Sequence, residues 1–99
     1  MNNIVNIVNF IRAIEPRVGR GELDLFEPVR EQMAMAKRLK LPTTWLLQYD
    51  ALIQGPFVEF LKREMPENHE VGIWFETVQP NVEAAGIKWR GRWAWDWHT

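Results

Sequence analysis

The sequence predicts an α/β protein in which strands alternate with helices and pair into a parallel sheet. Two short apolar runs carry this prediction, at Lys40 to Leu47 (K-L-P-T-T-W-L-L) and at Asn68 to Glu76 (N-H-E-V-G-I-W-F-E). A stretch with helical spacing of apolar residues precedes each run. Because a helix between two strands returns the chain to the same end of the sheet, such strands pair in parallel. The predicted order is βαβαβ with right-handed crossovers, followed by a Trp-rich tail at 87–99.

Three strands are predicted at β-branched and apolar runs. The first covers Ile4 to Ile11, whose composition is typical of a strand that is buried largely on both faces. The next residues, Arg12 to Gly21, include one proline and two glycines and therefore predict a loop. The second strand is predicted over Thr43 to Gln48, and the third runs from about Glu70 to Phe75.

Two amphipathic helices are predicted between these strands. The first begins at Asp24, whose side chain can cap it, and ends before Leu41-Pro42. Its apolar residues recur at helical spacing, at Leu25, Val29, Met33, Ala36 and Leu39. The second helix opens at Pro56 and runs to Met65 through Phe57, Phe60 and Leu61. Residues 77–86 are predicted to form a loop that can include one helical turn.

The length of the chain allows one domain at most. The chain has 99 residues, and 46% of them are hydrophobic. Its formal net charge is -1, and this charge does not favour nucleic acid or an anionic membrane as a partner. Cysteine is absent, so disulfides and thiolate metal sites are excluded. We expect no signal peptide, because the first residues show neither a basic stretch nor a long apolar stretch, and no membrane span, because no apolar run approaches the roughly 20 residues that cross a bilayer. The sequence predicts no compartment.

In a parallel sheet, functional side chains collect just beyond the carboxyl ends of the strands, because loops and helix N-termini converge there and leave a crevice. Three groups of residues follow the predicted strands. They are Arg12, Glu15 and Arg17 after the first strand, Gln48, Tyr49 and Asp50 after the second, and Glu76 after the third. Asp96 and His98 could join them, whereas His69 precedes a strand at the opposite end and is expected to be structural.

Two of these segments resemble motifs of a known family. L-P-T-T-W-L-L at 41–47 resembles the I-P-A-T-F-F-L strand of the NodB-like polysaccharide deacetylases, and H-E-V-G at 69–72 resembles the start of their H-E-I-G-N-H motif. The resemblance implies a distorted (β/α) barrel, a fold that carbohydrate deacetylases share with some glycoside hydrolases. Because such a barrel needs about 250 residues, we expect residues 1–99 to be one partial domain, the amino-terminal portion of a larger barrel.

The chain departs from the family pattern at its metal site. The first strand continues as N-F-I-R-A-I-E at 9–15, without the acidic pair of the family motif T-F-D-D-G. The metal-binding histidine of the second motif falls on Trp74, and an indole cannot ligate zinc. The resemblance therefore implies neither the usual zinc site nor a cofactor in this chain.

Glu76, Asp50 and Glu15 are the candidate catalytic residues, and Asp96 is a further carboxylate that could join them. A glycosidase uses two carboxyl groups, one as acid and one as base or nucleophile. Glu76 is favoured because it directly follows a strand that is predicted to be buried and is therefore rigidly supported. The alternative is that each carboxylate caps a loop or pairs with a nearby arginine.

Candidate substrate-binding residues are Arg12, Arg17, Tyr49, Trp74 and Trp95. Trp93, Trp95 and Trp97 alternate and would share one face of an extended segment, where indoles can stack on sugar rings. The alternative is that they pack in a core. Lys88 to Trp93 interleaves cations with aromatics as nucleic-acid binders do, but the charge of -1 argues against that function.

Two functions remain open from the sequence. The first is a carbohydrate-active (β/α)-barrel enzyme, either deacetylase-like or glycoside hydrolase-like, with a carbohydrate substrate. The second is a non-catalytic binding or assembly module that docks through the Trp-rich C-terminal segment. The third strand is expected to be an open edge of the sheet, through which a homo-oligomer could form.

Overall fold

A computed structural model describes residues 3–14 and 24–95 of the chain. Three strands form a parallel sheet in the order β1-β2-β3, namely β1 (Val8–Ile11), β2 (Thr44–Leu47) and β3 (Glu70–Ile73). Four helices accompany them, namely α1 (Phe26–Arg38), α2 (Tyr49–Leu52), α3 (Gly55–Glu64) and α4 (Gln79–Ala84). The predicted α/β class and the parallel pairing are confirmed. The barrel stays a prediction.

Helices α1 and α3 cover the same face of the sheet. The strand register aligns Ile11 with Leu47 and Leu47 with Ile73, and Trp45 lies two residues before Leu47 on that face. Ile11, Trp45 and Leu47 are buried together with apolar residues of both helices. These are Val29 and Met33 from α1 and Phe57, Phe60 and Leu61 from α3. The helix residues are those that the helical spacing predicts.

The opposite face of the sheet is apolar but is not covered by α1 or α3. Phe10, Leu46 and Gly72 are aligned by the register and alternate with the core residues, so they belong to this face. The ring of Phe10 packs against that of Trp74, with centroids 4.1 Å apart. Phe10 is nevertheless exposed, and Leu46 is only partly buried.

The predictions for the first and third strands are wrong in part. β1 begins at Val8 rather than Ile4, and the side chains of Ile4 and Val5 are 85% and 81% exposed. Only one face of β1 is buried. β3 lies at the edge of the described sheet, as predicted, but the prediction that it is buried is wrong, since Val71 and Ile73 are exposed. The physical reason is that no described helix covers the edge at β3, since α4 contributes no buried residue and contacts α2.

The ends of α1 are fixed by local hydrogen bonds. Asp24 Oδ1 accepts the backbone N–H groups of Phe26 at 2.9 Å and Glu27 at 3.3 Å, so the predicted capping by Asp24 is confirmed. At the other end Lys40 adopts a left-handed conformation with φ 54°. The N–H of Leu41 donates to the carbonyl of Ala36 at 2.9 Å and closes the helix.

Two helices differ from the sequence prediction. The short helix α2 follows β2 after Gln48, at a position for which the sequence predicted no helix. α4 lies within the predicted loop 77–86 and is somewhat longer than one turn. Its start is fixed by Asn81, whose Oδ1 accepts the N–H of Val78 at 2.9 Å.

Candidate functional site

The carboxylate of Glu76 joins three parts of the chain at the carboxyl edge of the sheet. Its Oε2 accepts one hydrogen bond from Gln48 Nε2 at 2.5 Å and a second from Trp95 Nε1 at 2.9 Å. Gln48 follows β2, and Glu76 lies three residues beyond the end of β3. The side-chain amide of Asn81 donates to the backbone carbonyl of Glu76 at 3.4 Å, which supports the turn that carries the carboxylate.

Trp95 is buried, although it belongs to the Trp-rich tail. The N–H of Gln79 donates to the carbonyl of Ala94 at 2.8 Å and anchors this part of the tail beside α4. The guanidinium carbon of Arg12 lies 5.6 Å from the centroid of the Trp95 ring, in cation–π contact. Arg12, the residue after β1, and Glu76, three residues beyond β3, therefore meet through one indole. Arg12, Glu76 and Trp95 were all predicted site residues, and the structure brings them together.

Asp50 lies at the same edge but has a different environment. Its side chain is 1% exposed, and Oδ2 accepts the backbone N–H of Ala13 at 2.6 Å. Burial raises the pKa of Asp50, and hydrogen bonds from backbone N–H groups, chiefly that of Ala13, partly oppose the rise. Asp50 thus holds the loop after β1 in place through this hydrogen bond. This is the structural role that the sequence analysis gave as the alternative to a catalytic role.

Two buried acceptors near this edge have no hydrogen-bond partner among residues 3–14 and 24–95. They are Oε1 of Gln48 and Oδ1 of Asp50. A buried acceptor without a donor is unfavourable by about 1–3 kcal/mol relative to a satisfied one. Both atoms belong to side chains that are nearly inaccessible to solvent. The carboxyl edge therefore has unused hydrogen-bonding capacity next to the Glu76 carboxylate.

Of the remaining predicted site residues, the structure places Trp74 and Tyr49 and does not describe the others. Trp74 is partly buried and packs on Phe10 at the uncovered face of the sheet. Tyr49 is partly buried at the first position of α2. Glu15 and Arg17 lie outside the described residues, as do Asp96, Trp97 and His98.

The end-of-strand rule placed Gln48 at this edge but gave it no catalytic or binding role, and Phe10 was not among the candidate site residues. Gln48 is fully buried and holds the Glu76 carboxylate. Its position directly after a buried strand was the available signal, because the carboxyl ends of parallel strands share one edge. Phe10 was assigned to a strand buried on both faces, and only the tertiary structure reveals its exposure.

The Trp-rich tail folds on itself before Trp95. The indole N–H of Trp89 donates to the carbonyl of Trp93 at 2.7 Å. Gly91 permits this contact, since an added Cβ would lie 2.5 Å from the Trp89 ring. The chain bends at 92–95, so the predicted extended segment is wrong, and Trp93 is exposed whereas Trp95 is buried.

A buried Trp–His pair lies at the opposite, amino end of the sheet. The indole N–H of Trp45 donates to Nδ1 of His69 at 3.2 Å, and both side chains are buried. This contact is consistent with the structural role expected for His69. Among the residues that the structure describes, no three His, Asp or Glu side chains are grouped so as to hold a metal ion.

Comparison with known proteins adds no identification. No family model, no curated protein and no solved structure matches this chain. Within the described part of the chain, no helix has both the length and the apolar character that a membrane span needs.

Proposed function

We propose that this chain contributes the first strands of a carbohydrate-active (β/α) barrel and that the carboxyl edge of its sheet binds a sugar substrate for hydrolysis. The motif resemblance to polysaccharide deacetylases at 41–47 and 69–72 is one support. The observation that carries the proposal is the Glu76 carboxylate, which two N–H donors hold at the edge where parallel α/β proteins place their functional residues.

The chemistry of this edge suits a polyhydroxylated ligand. The carboxylate of Glu76 can accept hydrogen bonds from sugar hydroxyls, and such charge-assisted bonds are stronger than neutral ones. Trp74, two residues before Glu76 in the sequence, packs its partly buried ring on the exposed ring of Phe10, and the two rings form an apolar surface. The C–H faces of pyranose rings are apolar and can pack on aromatic rings. A sugar could therefore satisfy both kinds of surface at once.

The two carboxyl groups have separate roles in this proposal. Glu76 is the group that contacts substrate, as a base or as a nucleophile, because it is only partly buried. Asp50 acts as a positioning residue, because its carboxyl group is buried and bonded to Ala13 beside Arg12. The barrel itself is supported by the apolar face opposite the helices, since that face of a (β/α) sheet points to the barrel interior.

The alternative function, an assembly module that docks through segment 87–99, has one observation in its favour. Ile87 and Trp93 are exposed apolar residues of this segment. Against it, Trp95 is buried against Arg12 and Glu76, and the Trp89 indole is bonded within the segment. The larger part of the described tail is therefore engaged inside the chain, and the carbohydrate site is the better supported proposal.

The proposal can be tested by titrating the whole chain with oligomers of N-acetylglucosamine while tryptophan fluorescence is recorded. We expect a saturable change, since Trp95 contacts Glu76. Glu76→Gln should weaken binding about tenfold or more, because a hydrogen bond to a charged group contributes about 1.5–3 kcal/mol. Mass spectrometry of the incubated oligomers distinguishes loss of acetyl groups from shortening of the chain.

The matched control is Glu83→Gln, which changes an exposed carboxylate on α4. It should bind like the parent chain. The proposal is wrong if the folded parent chain shows no saturable response up to the solubility limit of the oligomers. It is equally wrong if Glu76→Gln and Glu83→Gln weaken binding to the same extent. Circular dichroism confirms that each variant is folded.

A further inference from the structure

An open cavity of about 340 Å³ lies at the amino end of the sheet, between the end of α1 and the turn that leads into β3. Its volume is within the range of about 300–1,000 Å³ that small-molecule sites have. The residues that line it are Ala36, Lys37, Lys40, Pro66, Asn68 and His69. Their polar side chains carry ammonium, amide and imidazole groups, and none of these six residues is acidic.

The hydrogen bond between Trp45 and His69 fixes which ring nitrogen of His69 carries the proton. The indole N–H of Trp45 can only donate, so the Nδ1 atom that accepts it at 3.2 Å carries no hydrogen. The neutral ring therefore has its hydrogen on Nε2, which has no hydrogen-bond partner among residues 3–14 and 24–95. His69 lines the cavity and is only 7% exposed. Its Nε2–H is thus a donor for a ligand in the cavity, and neither ring nitrogen is available to ligate a metal ion.

Lys40 places a cation at a position where the backbone favours glycine. Its φ of 54° is a left-handed conformation, which is strained for lysine. Its ammonium group forms no ion pair within the described part of the chain. Lys37, by contrast, is bonded to the carboxylate of Glu64 at 2.7 Å. Strained positions of this kind are concentrated at functional sites, and Lys40 is the residue that gives this cavity an uncompensated positive charge.

The end of α1 does not oppose a negatively charged ligand at this cavity. A helix C-terminus is normally negative because its last carbonyl groups lack donors. Here the carbonyl of Ala36 accepts the N–H of Leu41 at 2.9 Å, and that of Lys37 accepts the N–H of Lys40 at 3.2 Å. The two α1 residues that line the cavity therefore have satisfied carbonyls. The polar groups that remain for a ligand are mainly donors.

We infer that this cavity binds a phosphate group. Phosphate is a multiply charged acceptor that takes hydrogen bonds from several donors at once. The ammonium of Lys40, the side-chain amide of Asn68 and the Nε2–H of His69 can each donate to a different phosphate oxygen. The inference does not depend on the proposed carbohydrate site, because that site lies at the opposite, carboxyl edge of the sheet.

Calorimetric titration with inorganic phosphate at constant ionic strength tests the site, at about pH 8 where histidine is ordinarily neutral. The parent chain should bind phosphate saturably and should not respond to chloride. Lys40→Gly should weaken binding about tenfold or more, because it removes a charge-assisted hydrogen bond. This variant should fold, since glycine suits a φ of 54°. Lys62→Ala is the matched control, because it removes an exposed lysine of α3, and it should bind like the parent chain.

NMR of the histidine ring nitrogens tests the donor that His69 supplies. The chain has two histidines, so His98→Asn leaves the signals of the His69 ring alone. We expect the hydrogen on Nε2, and we expect the Nε2 signal to move as phosphate is added. The inference is overturned if the hydrogen is found on Nδ1, or if the Nε2 signal stays unchanged while phosphate binds.

Glycerol phosphate, titrated in the same way, distinguishes the two sources of the phosphate group. Tighter binding than that of inorganic phosphate assigns the site to a phosphorylated small molecule, and weaker binding assigns it to the free ion. The inference fails if neither compound binds saturably to the folded parent chain. It fails equally if Lys40→Gly and Lys62→Ala weaken binding to the same extent.

Discussion

Replacement of Asp50 by asparagine tests the burial of this carboxyl group. Burial raises the pKa of Asp50, so the group is easier to protonate in the folded chain than in the unfolded chain. A group of this kind contributes to stability below its ordinary pKa, and the contribution is lost as the pH rises through the raised value. Asparagine does not titrate. The free energy of unfolding of the parent chain should therefore fall relative to Asp50→Asn as the pH rises above the ordinary aspartate pKa of about 4.

The size of the structural contribution follows from the hydrogen bond to Ala13. Asp50→Ala removes the acceptor at 2.6 Å and leaves the Ala13 N–H without it. A fully buried donor without a partner costs about 1–3 kcal/mol; Ala13 is partly buried, so the low end of this range, about 1 kcal/mol, is expected, and the lost side chain adds a packing term. Asp50→Asn keeps an oxygen for the Ala13 N–H, so it should retain more stability than Asp50→Ala at neutral pH.

Urea unfolding followed by tryptophan fluorescence measures both effects, because Trp45 is fully buried and reports on the core. The three proteins are compared at each pH. The reasoning is refuted if the stability difference between Asp50→Asn and the parent chain does not change with pH, or if it changes in the opposite direction. It is also refuted if the alanine and asparagine variants are equally destabilised at neutral pH.

The remaining predictions concern left-handed backbone positions. Gly86→Ala should lower the free energy of unfolding by about 1 kcal/mol, because Gly86 has φ +78°. Gly55→Ala is its control with equally open space and no positive φ, and it should be neutral or stabilising by about 0.5 kcal/mol. Lys40→Gly should stabilise by about 0.5–1 kcal/mol because Lys40 has φ 54°, whereas Lys40→Ala should not. Urea unfolding measures all four variants, and equal responses of Gly55 and Gly86 would contradict the backbone argument.

Local patterns predicted the elements that depend on local chemistry. The spacing of Val29, Met33 and Ala36 predicted the buried face of α1, because residues three and four apart lie on one side of a helix. Asp24 was predicted as the cap because its side chain can reach the first N–H groups of the helix. Both features involve residues close in sequence, and both are observed.

Burial of the strands could not be predicted in the same way. Ile4, Val71 and Ile73 are as apolar as the core residues, yet they are exposed. An apolar run indicates that a strand can be buried, but burial requires another element to cover it. At the edge of β3 no described helix does so, since α4 packs against α2.

For the site, the end-of-strand rule predicted that Arg12, Asp50 and Glu76 would lie at one edge of the sheet. The same rule placed Gln48 at this edge, but the hydrogen bonds of the Glu76 carboxylate could not be predicted, because Gln48 and Trp95 are 28 and 19 residues away in sequence. No periodicity links residues at such separations. Their contact depends on the strand register and on the path of the tail.

The sequence alone determined the alternation of helices and strands, because it follows from side-chain spacing within short segments. That alternation in turn predicted the parallel pairing and the edge at which polar residues collect, because a helix between two strands returns the chain to the same end of the sheet. The tertiary structure decided which apolar surfaces are covered, how Glu76 is held and that Asp50 serves the loop after β1. These features depend on groups that are distant in sequence, and only the packing of the whole chain sets the distances between them.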